Sequence, residues 1–407
     1  MKRTKLLVLT AMSALVLVGC NKNKAGTLPS GGKDVDVTTE EGEKTLKDKL
    51  HETVEAYKNL KLDSASLTST TSGVNAKADI KATIEDVGDI NLNANLKDFG
   101  AKVELKAARK AKAENEEYDS LEASLVASTT GGKFSLSGSI PGSEEGKTAK
   151  VDASLSLKGA EVGAYITGDK LYLNAFNSGN EKFVTDADAF ANNLYGQLKE
   201  TIFGPLLPYL LSGDDFKDVY DAKADKFVIA DMYKESAKGG NGYLSLGKPV
   251  EFPTIDIDEE SEDFNEFIET LIDLADKKVG FLFKTYSNNA YGFALSMDKT
   301  ALKVLIAATA EEDTKETLEQ IDKYLKKFSF KADLYFNSDC LFESAGCSFN
   351  IETNLDKDIL GDYSSVASSF SANISASGTE KVEVKYNNTK VEFPSFDGYK
   401  EIKLFGN

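Results

Sequence analysis

The feature that most constrains this chain is a side-chain period of two that recurs along most of its length. Ile80, Ala82 and Ile84 alternate with polar residues. The same pattern returns in Ile90, Leu92, Ala94 and Leu96, in Ala101, Val103, Leu105 and Ala107, in Phe134 and Leu136, and in Val151, Ala153, Leu155 and Leu157. Successive side chains of a strand point to opposite faces, so each segment reads as a strand that is apolar on one side and wetted on the other. Thr130-Gly131-Gly132 and Pro141-Gly142-Ser143 supply turn chemistry between them, and Gly168-Asp169-Lys170 turns into Leu171-Tyr172-Leu173. Such punctuation fits an antiparallel meander.

Helical spacing interrupts this pattern in blocks. Leu46, Leu50, Val54, Tyr57 and Leu60 mark a first helix. Phe190, Leu194, Leu198 and Ile202 mark a second, from near Asp186 to about Gly213, and Phe264, Phe267, Ile268, Leu271 and Ile272 a third. Strands at Val279 to Tyr286 and Tyr291 to Met297 precede helices at Asp298 to Ala310 and Thr314 to Lys327. The chain closes with strands through Phe328 to Phe336, Phe349 and Ile351, Phe370 to Ala376, Val382 to Tyr386, and Val391 to Phe393. Runs of strands followed by runs of helices specify an α+β protein: a large curved antiparallel sheet whose single apolar face is covered by helices packed in its concavity. The strict βαβ succession of a doubly wound, two-lobed binding protein is missing. At 407 residues and 41% hydrophobic content, the chain can build a large core.

The N-terminus carries a different signal. Lys2, Arg3 and Lys5 precede an apolar stretch from Leu6 to Val18, too short to span a bilayer comfortably, and Leu17-Val18-Gly19-Cys20 closes it. This arrangement resembles the bacterial lipobox. The resemblance implies a signal peptide at 1–19 and a mature chain beginning at Cys20, whose thiol carries a diacylglyceryl group. One acyl chain holds a protein to a membrane only marginally, and a second makes the anchor stable. Residues 20–42, rich in Lys, Gly, Thr, Ser, Asp and Glu, then read as a flexible tether, and 43–407 as the β-rich domain. The formal charge of the whole chain is −18, and loss of Lys2, Arg3 and Lys5 with the signal takes it to −21. Such a surface repels nucleic acid and anionic headgroups, so the membrane contact is expected through the lipid, on the extracytoplasmic face.

The lipobox, the N-terminal helix, the Gly168-Asp169-Lys170-Leu171-Tyr172 turn and the helices set between strand groups together resemble the LolA/LppX-like half-barrel lipoproteins and carriers. Asp298-Lys299-Thr300-Ala301-Leu302 leading to an Asn337-Ser338-Asp339 turn adds to the likeness. That resemblance implies acyl chains bound between sheet and helices. This chain is longer than a single half-barrel of the family, which makes it either enlarged or partly duplicated.

Little in the sequence points to catalysis or to a cofactor. His51, the only histidine, lies on the charged flank of the first helix, so serine or cysteine catalysis would have to use it. With Cys20 lipidated, Cys340 and Cys347 are too few for a thiolate metal cluster. No phosphate-cradling glycine loop is present. The acidic run Asp256, Asp258, Glu259, Glu260, Glu262 and Asp263 lacks calcium-loop spacing and reads as complement to a helix dipole. Cys340 and Cys347 could bridge if their hairpin turned at Glu343-Ser344; the better turn chemistry of Asn337-Ser338-Asp339 keeps them apart on one strand.

One candidate site remains. Ile202, Phe203, Leu206, Leu207, Tyr209, Leu210 and Leu211 form an apolar run broken by Pro205 and Pro208. It reads either as a kinked rim over a greasy cavity or as a helix end packed against the sheet, and the usual burial of an amphipathic helix favours the second. Ala94, Ala101, Ala107 and Ala153 leave space on the sheet for close helices or for a ligand. The expectation is a non-enzymatic, lipid-anchored protein without metal or cofactor that binds a lipid or other hydrophobic molecule under its sheet. The alternative is an envelope protein with a fully packed core that serves structure or protein interaction.

Overall fold

The computed structural model describes residues 28–402 except 113, 115–116, 145, 175–180, 214–215, 217–218, 239–241, 254–268, 274, 276–279, 310–313 and 360–366. The signal and lipobox, Cys20, the acidic run at 256–263 and the first part of the third expected helix lie outside the described residues.

Strand β1 (Lys33–Val35) and helix α1 (Glu40–Asn59) come first. Three long strands follow, β2 (Ser64–Ile84), β3 (Gly88–Lys110) and β4 (Ser120–Pro141), and then three shorter ones, β5 (Thr148–Ser156), β6 (Glu161–Thr167) and β7 (Lys170–Asn174). Next are α2 (Glu181–Lys199), a 3₁₀ turn at Gly204–Leu206, α3 (Leu207–Leu211), the small hairpin β8 (Tyr220–Asp221) and β9 (Lys226–Phe227), α4 (Ile229–Lys238) and β10 (Gly242–Ser245). Strands β11 (Phe281–Thr285) and β12 (Tyr291–Asp298) lead to α5 (Lys299–Thr309) and α6 (Thr314–Tyr324). The chain ends with β13 (Leu325–Phe336), β14 (Phe342–Asp356), β15 (Ala367–Tyr386) and β16 (Lys400–Glu401).

All strands but β8 and β9 join one 14-stranded sheet in the order β1-β11-β12-β13-β14-β15-β2-β3-β4-β6-β7-β10-β16, with β5 added to β4. The α+β expectation holds at this level. The two strand groups of the sequence meet where β15 pairs with β2, so they make one continuous sheet. It is open, ending at β1 and β16, and it is not wholly antiparallel as expected, because β16 joins β10 in parallel.

Cross-strand register places the apolar side chains on one face. Phe283, Phe293, Leu334, Ala345 and Val382 lie opposite one another across β11 to β15, and Ala372, Ile80 and Leu92 continue the face across β2 and β3. The alternation changes phase within the long strands. On β3 the apolar residues are even-numbered up to Leu96 and odd-numbered from Ala101, which is why they read as two strands. Bulges absorb the extra residue and keep the apolar side on the same face. They fall at Thr71 to Ala76 on β2, at Lys97 to Ala101 on β3 against Thr129 to Lys133 on β4, and at Ser377 to Thr379 where β15 meets β2. The irregularities form a line across four neighbouring strands. Gly73 with φ of +57° and Gly132 with φ of +122° supply backbone there that other residues adopt only with strain.

Two helices cover separate parts of this face. Helix α1 lies over its β11–β12 side, where Leu46 and Leu50 pack with Phe283, Tyr291, Phe293 and Leu271. Thr53 ties the helix down, its hydroxyl reaching the Cys340 carbonyl at 2.9 Å and the Tyr291 hydroxyl at 2.6 Å. Helix α2 lies against β5, with Phe190 edge-on to Phe134 at 5.9 Å between ring centres.

Several boundaries differ from the sequence reading. Residues 33–42, assigned above to the tether, belong to the folded part: β1 pairs with β11, Val37 is buried, and Thr39 caps α1 by accepting from Gly42 N–H at 3.1 Å. Helix α2 begins at Glu181 rather than near Asp186 and ends at Lys199. Val391 to Phe393 is not a strand; it packs through side chains, Phe393 edge-on to Tyr165. The hairpin between β13 and β14 turns at Asn337 to Cys340, whose N–H donates to the Asn337 carbonyl at 2.9 Å, and Cys340 is a free thiol.

Candidate functional site

The candidate site is the stretch of apolar sheet face between the two helices. Strands β15, β2, β3, β4 and β6 cross it. Leu67, Leu105 and Leu125 stand directly opposite one another on β2, β3 and β4, and Val162 lies one rung further, opposite Ala127. Among the described residues, Leu105 is 42% exposed, Leu125 43% and Val162 52%. Residues of the same face under α1 differ sharply, with Phe283 at 1% and Phe293 at 4%. The sheet therefore carries an uncovered apolar band across neighbouring strands. Such a contiguous band differs from single apolar side chains scattered over a surface, which are ordinary.

The segment from Ile202 to Leu211 is anchored to the same end of β4 as α2. Ile202 N–H donates to the Pro141 carbonyl at 3.1 Å, and buried Thr201 bridges to Gly142. The expectation that this segment packs against the sheet is not met. Leu207 and Leu211, four apart on α3, turn inward onto Tyr195 and Tyr220, whereas Phe203, Leu206, Tyr209 and Leu210 face outward. Tyr209 is 80% exposed and Leu210 64%. The pedestal beneath them is firmly held. Tyr195 and Tyr220 both donate to Asp225, which also pairs with Lys199. The Lys199 ammonium and then the two hydroxyls hold the Asp225 carboxyl well below the usual carboxylate range. Burial foremost, with Asp225 next, pushes the Tyr195 hydroxyl well above the usual phenol range.

A polar group sits within the apolar face. Glu380 occupies the apolar phase of β15 and is 7% exposed. It accepts hydrogen bonds from the Ser69 hydroxyl and, at 3.2 Å, from the Thr71 hydroxyl of β2. Residues separated by more than three hundred positions meet here solely through strand pairing.

Two clefts away from this band are lined largely by residues with polar or charged side chains. One, of about 500 Å³, lies between α2 and β5 along Lys150, Asn193, Gln197 and Glu200. The other, of about 630 Å³, is lined by Asp48, His51, Glu52, Asn289, Asp339 and Cys340. His51 is exposed, with Nδ1 2.8 Å from the Lys47 carbonyl oxygen. The Cys340 thiol donates to Glu52 at 3.3 Å. Burial and then this carboxylate push the thiol up to about 11. Burial alone would raise the Glu52 carboxyl, but donation from Lys49, Cys340 and Asn289 outweighs it and holds the group below its usual value. A thiol kept protonated beside a carboxylate is the reverse of an activated cysteine nucleophile. Cys340 should therefore resist a thiol-specific reagent at pH 8 in the folded protein and react within seconds once the chain is unfolded. Rapid labelling of the native protein, read by absorbance, would contradict this environment.

No helix among the described residues is long and apolar enough to cross a membrane. No family model matches the chain, and no curated protein matches it. Among solved structures, the chain is similar to a beta-barrel-like protein of the domain of unknown function DUF1849 from Brucella abortus. The identity is 9%, the match covers 80% of this chain and 98% of that one, and the TM-score is 0.11. It is also similar to the InvG secretin domain β-barrel from the Salmonella SPI-1 injectisome, at 8% identity over 96% of this chain and 81% of that chain, with a TM-score of 0.10. At these scores neither likeness carries an argument about fold or function.

Proposed function

We propose that this protein is a non-enzymatic lipoprotein, anchored through Cys20 to the extracytoplasmic face of the cell membrane, that holds the apolar part of a lipid or similar amphiphile on its open sheet face. In this reading the sheet is a half-barrel curved along its line of bulges, α1 and α2 sit in its concavity, and Phe203 to Leu210 form a greasy rim. The observation that carries the proposal is the uncovered band at Leu105, Leu125 and Val162. In a chain with a formal charge of −18, leaving such a band in water forgoes roughly 1 kcal/mol per half-exposed side chain. A bound acyl chain recovers that energy. The same band weighs against the alternative of an envelope protein with a fully packed core.

Fluorescent fatty-acid uptake by a soluble form beginning at Asn21 tests the proposal. Leu105→Asn with Leu125→Asn should lower affinity at least tenfold, about 1.4 kcal/mol, with an unchanged circular dichroism spectrum. Equal uptake by the variant and the parent protein would move the ligand off this face.

A further inference from the structure

We infer that the amphiphile bound on this face carries a cationic amine at its polar end, and that Glu380 receives it. This rests on the apolar-face reading above and names the ligand class for it.

Glu380 is a carboxylate set among apolar neighbours. Val382 follows on the same side of β15, and Ala101 and Val103 stand beyond Thr71 and Ser69 on β3. Its two oxygens offer about four acceptor positions, and the hydroxyls of Ser69 and Thr71 fill two of them. No Lys or Arg among the described residues pairs with it. The nearest basic residues in register, Lys381 and Lys102, point to the opposite face and pair with Glu383 at 2.8 Å and Glu104 at 3.1 Å. A carboxylate removed from water needs a countercharge as well as neutral donors. A ligand ammonium supplies both charge and hydrogen bonds.

The placement also fits one molecule. From the rung of Glu380, Thr71 and Ala101, the rung of Leu67 and Leu105 lies four residues along the strands, about 14 Å away. From β15 across to β4 is three strand spacings, roughly 14 Å. An amine at Glu380 thus directs its alkyl chain along the strands toward Leu67 and Leu105, with Leu125 beyond the reach of a twelve-carbon chain.

The test uses the full lipidated protein in phosphatidylcholine nanodiscs with two photoactivatable probes, a twelve-carbon amine and the matching twelve-carbon alcohol, each mapped by mass spectrometry. The amine should label the segments around Leu67, Leu105 and Val382 at least tenfold more efficiently than the alcohol, and Glu380→Gln should erase the difference while leaving alcohol labelling in place. Equal labelling by both probes on the native protein would overturn the inference and leave the apolar-face reading standing. So would an amine preference that survives in Glu380→Gln. Labelling of the sheet by neither probe would overturn both. The comparison on the native protein decides the matter even if the variant fails to fold.

Discussion

Phe283→Ala should lower the unfolding free energy by about 3–5 kcal/mol, the cost of emptying a fully buried aromatic site. Phe283 is 1% exposed, stacks on Phe293 at 5.2 Å and meets Tyr291 edge-on at 6.1 Å between ring centres. Beneath α1 its ring fills the space between Leu46, Leu50 and Leu271, so its removal leaves a cavity that three separate elements would have to collapse to close. A domain is typically stable by only about 5–15 kcal/mol, so the loss is a large share of the whole. Phe283→Leu keeps most of the volume and should cost less than half as much, which gives a folded variant for comparison. Tyr209→Ser and Leu210→Ser set the opposite limit. Both side chains face water, and denaturant midpoints should move by less than about 0.5 kcal/mol equivalent. Urea titration followed by tyrosine fluorescence separates the two groups. Similar losses at Phe283 and Leu210 would mean that the rim is packed.

Cys20→Ala should shift the protein from almost complete recovery in the membrane fraction to almost none in lipidated, processed form. The apolar stretch from Leu6 to Val18 is too short for a comfortable span, and the acidic surface gives anionic headgroups no reason to hold the domain. On the proposed anchoring, two acyl chains on one residue supply essentially all of the membrane affinity. Labelling cells with a radioactive or clickable palmitate and fractionating them reads the outcome directly. Label retained in the variant would place the lipid elsewhere, and membrane recovery of an unlabelled parent chain would refute lipid anchoring.

The broad architecture was legible because period-two alternation survives over part of each long strand, as at Ile80 to Ile84 in β2 and Phe134 to Leu136 in β4, and helical spacing in Leu46, Leu50 and Val54 fixes the element that covers Phe283. The long strands were harder to delimit, since the bulge at Lys97 to Ala101 reverses the parity of β3 and makes one strand look like two. The short elements β8 to β10 and β16 have too few residues to establish a period; their positions follow from contacts such as Gly242 with Leu173. The rim was identified as apolar, but its orientation was not. Only Leu207 and Leu211 are needed to anchor it on Tyr195 and Tyr220, and local hydrophobicity cannot say which other residues then face out. Glu380 was missed although a signal existed: it breaks the apolar phase that runs from Phe370 to Tyr386. Its partners Ser69 and Thr71 become visible only when β15 pairs with β2.

The most direct measurement is mass spectrometry of an organic extract of the soluble form beginning at Asn21, purified without detergent, beside the same form carrying Leu105→Asn and Leu125→Asn. An amphiphile is expected in near-stoichiometric amount with the first protein, and most of it should be lost with the second. An extract free of amphiphile from the folded parent protein, or the same yield from both, would contradict a ligand held on the open sheet face.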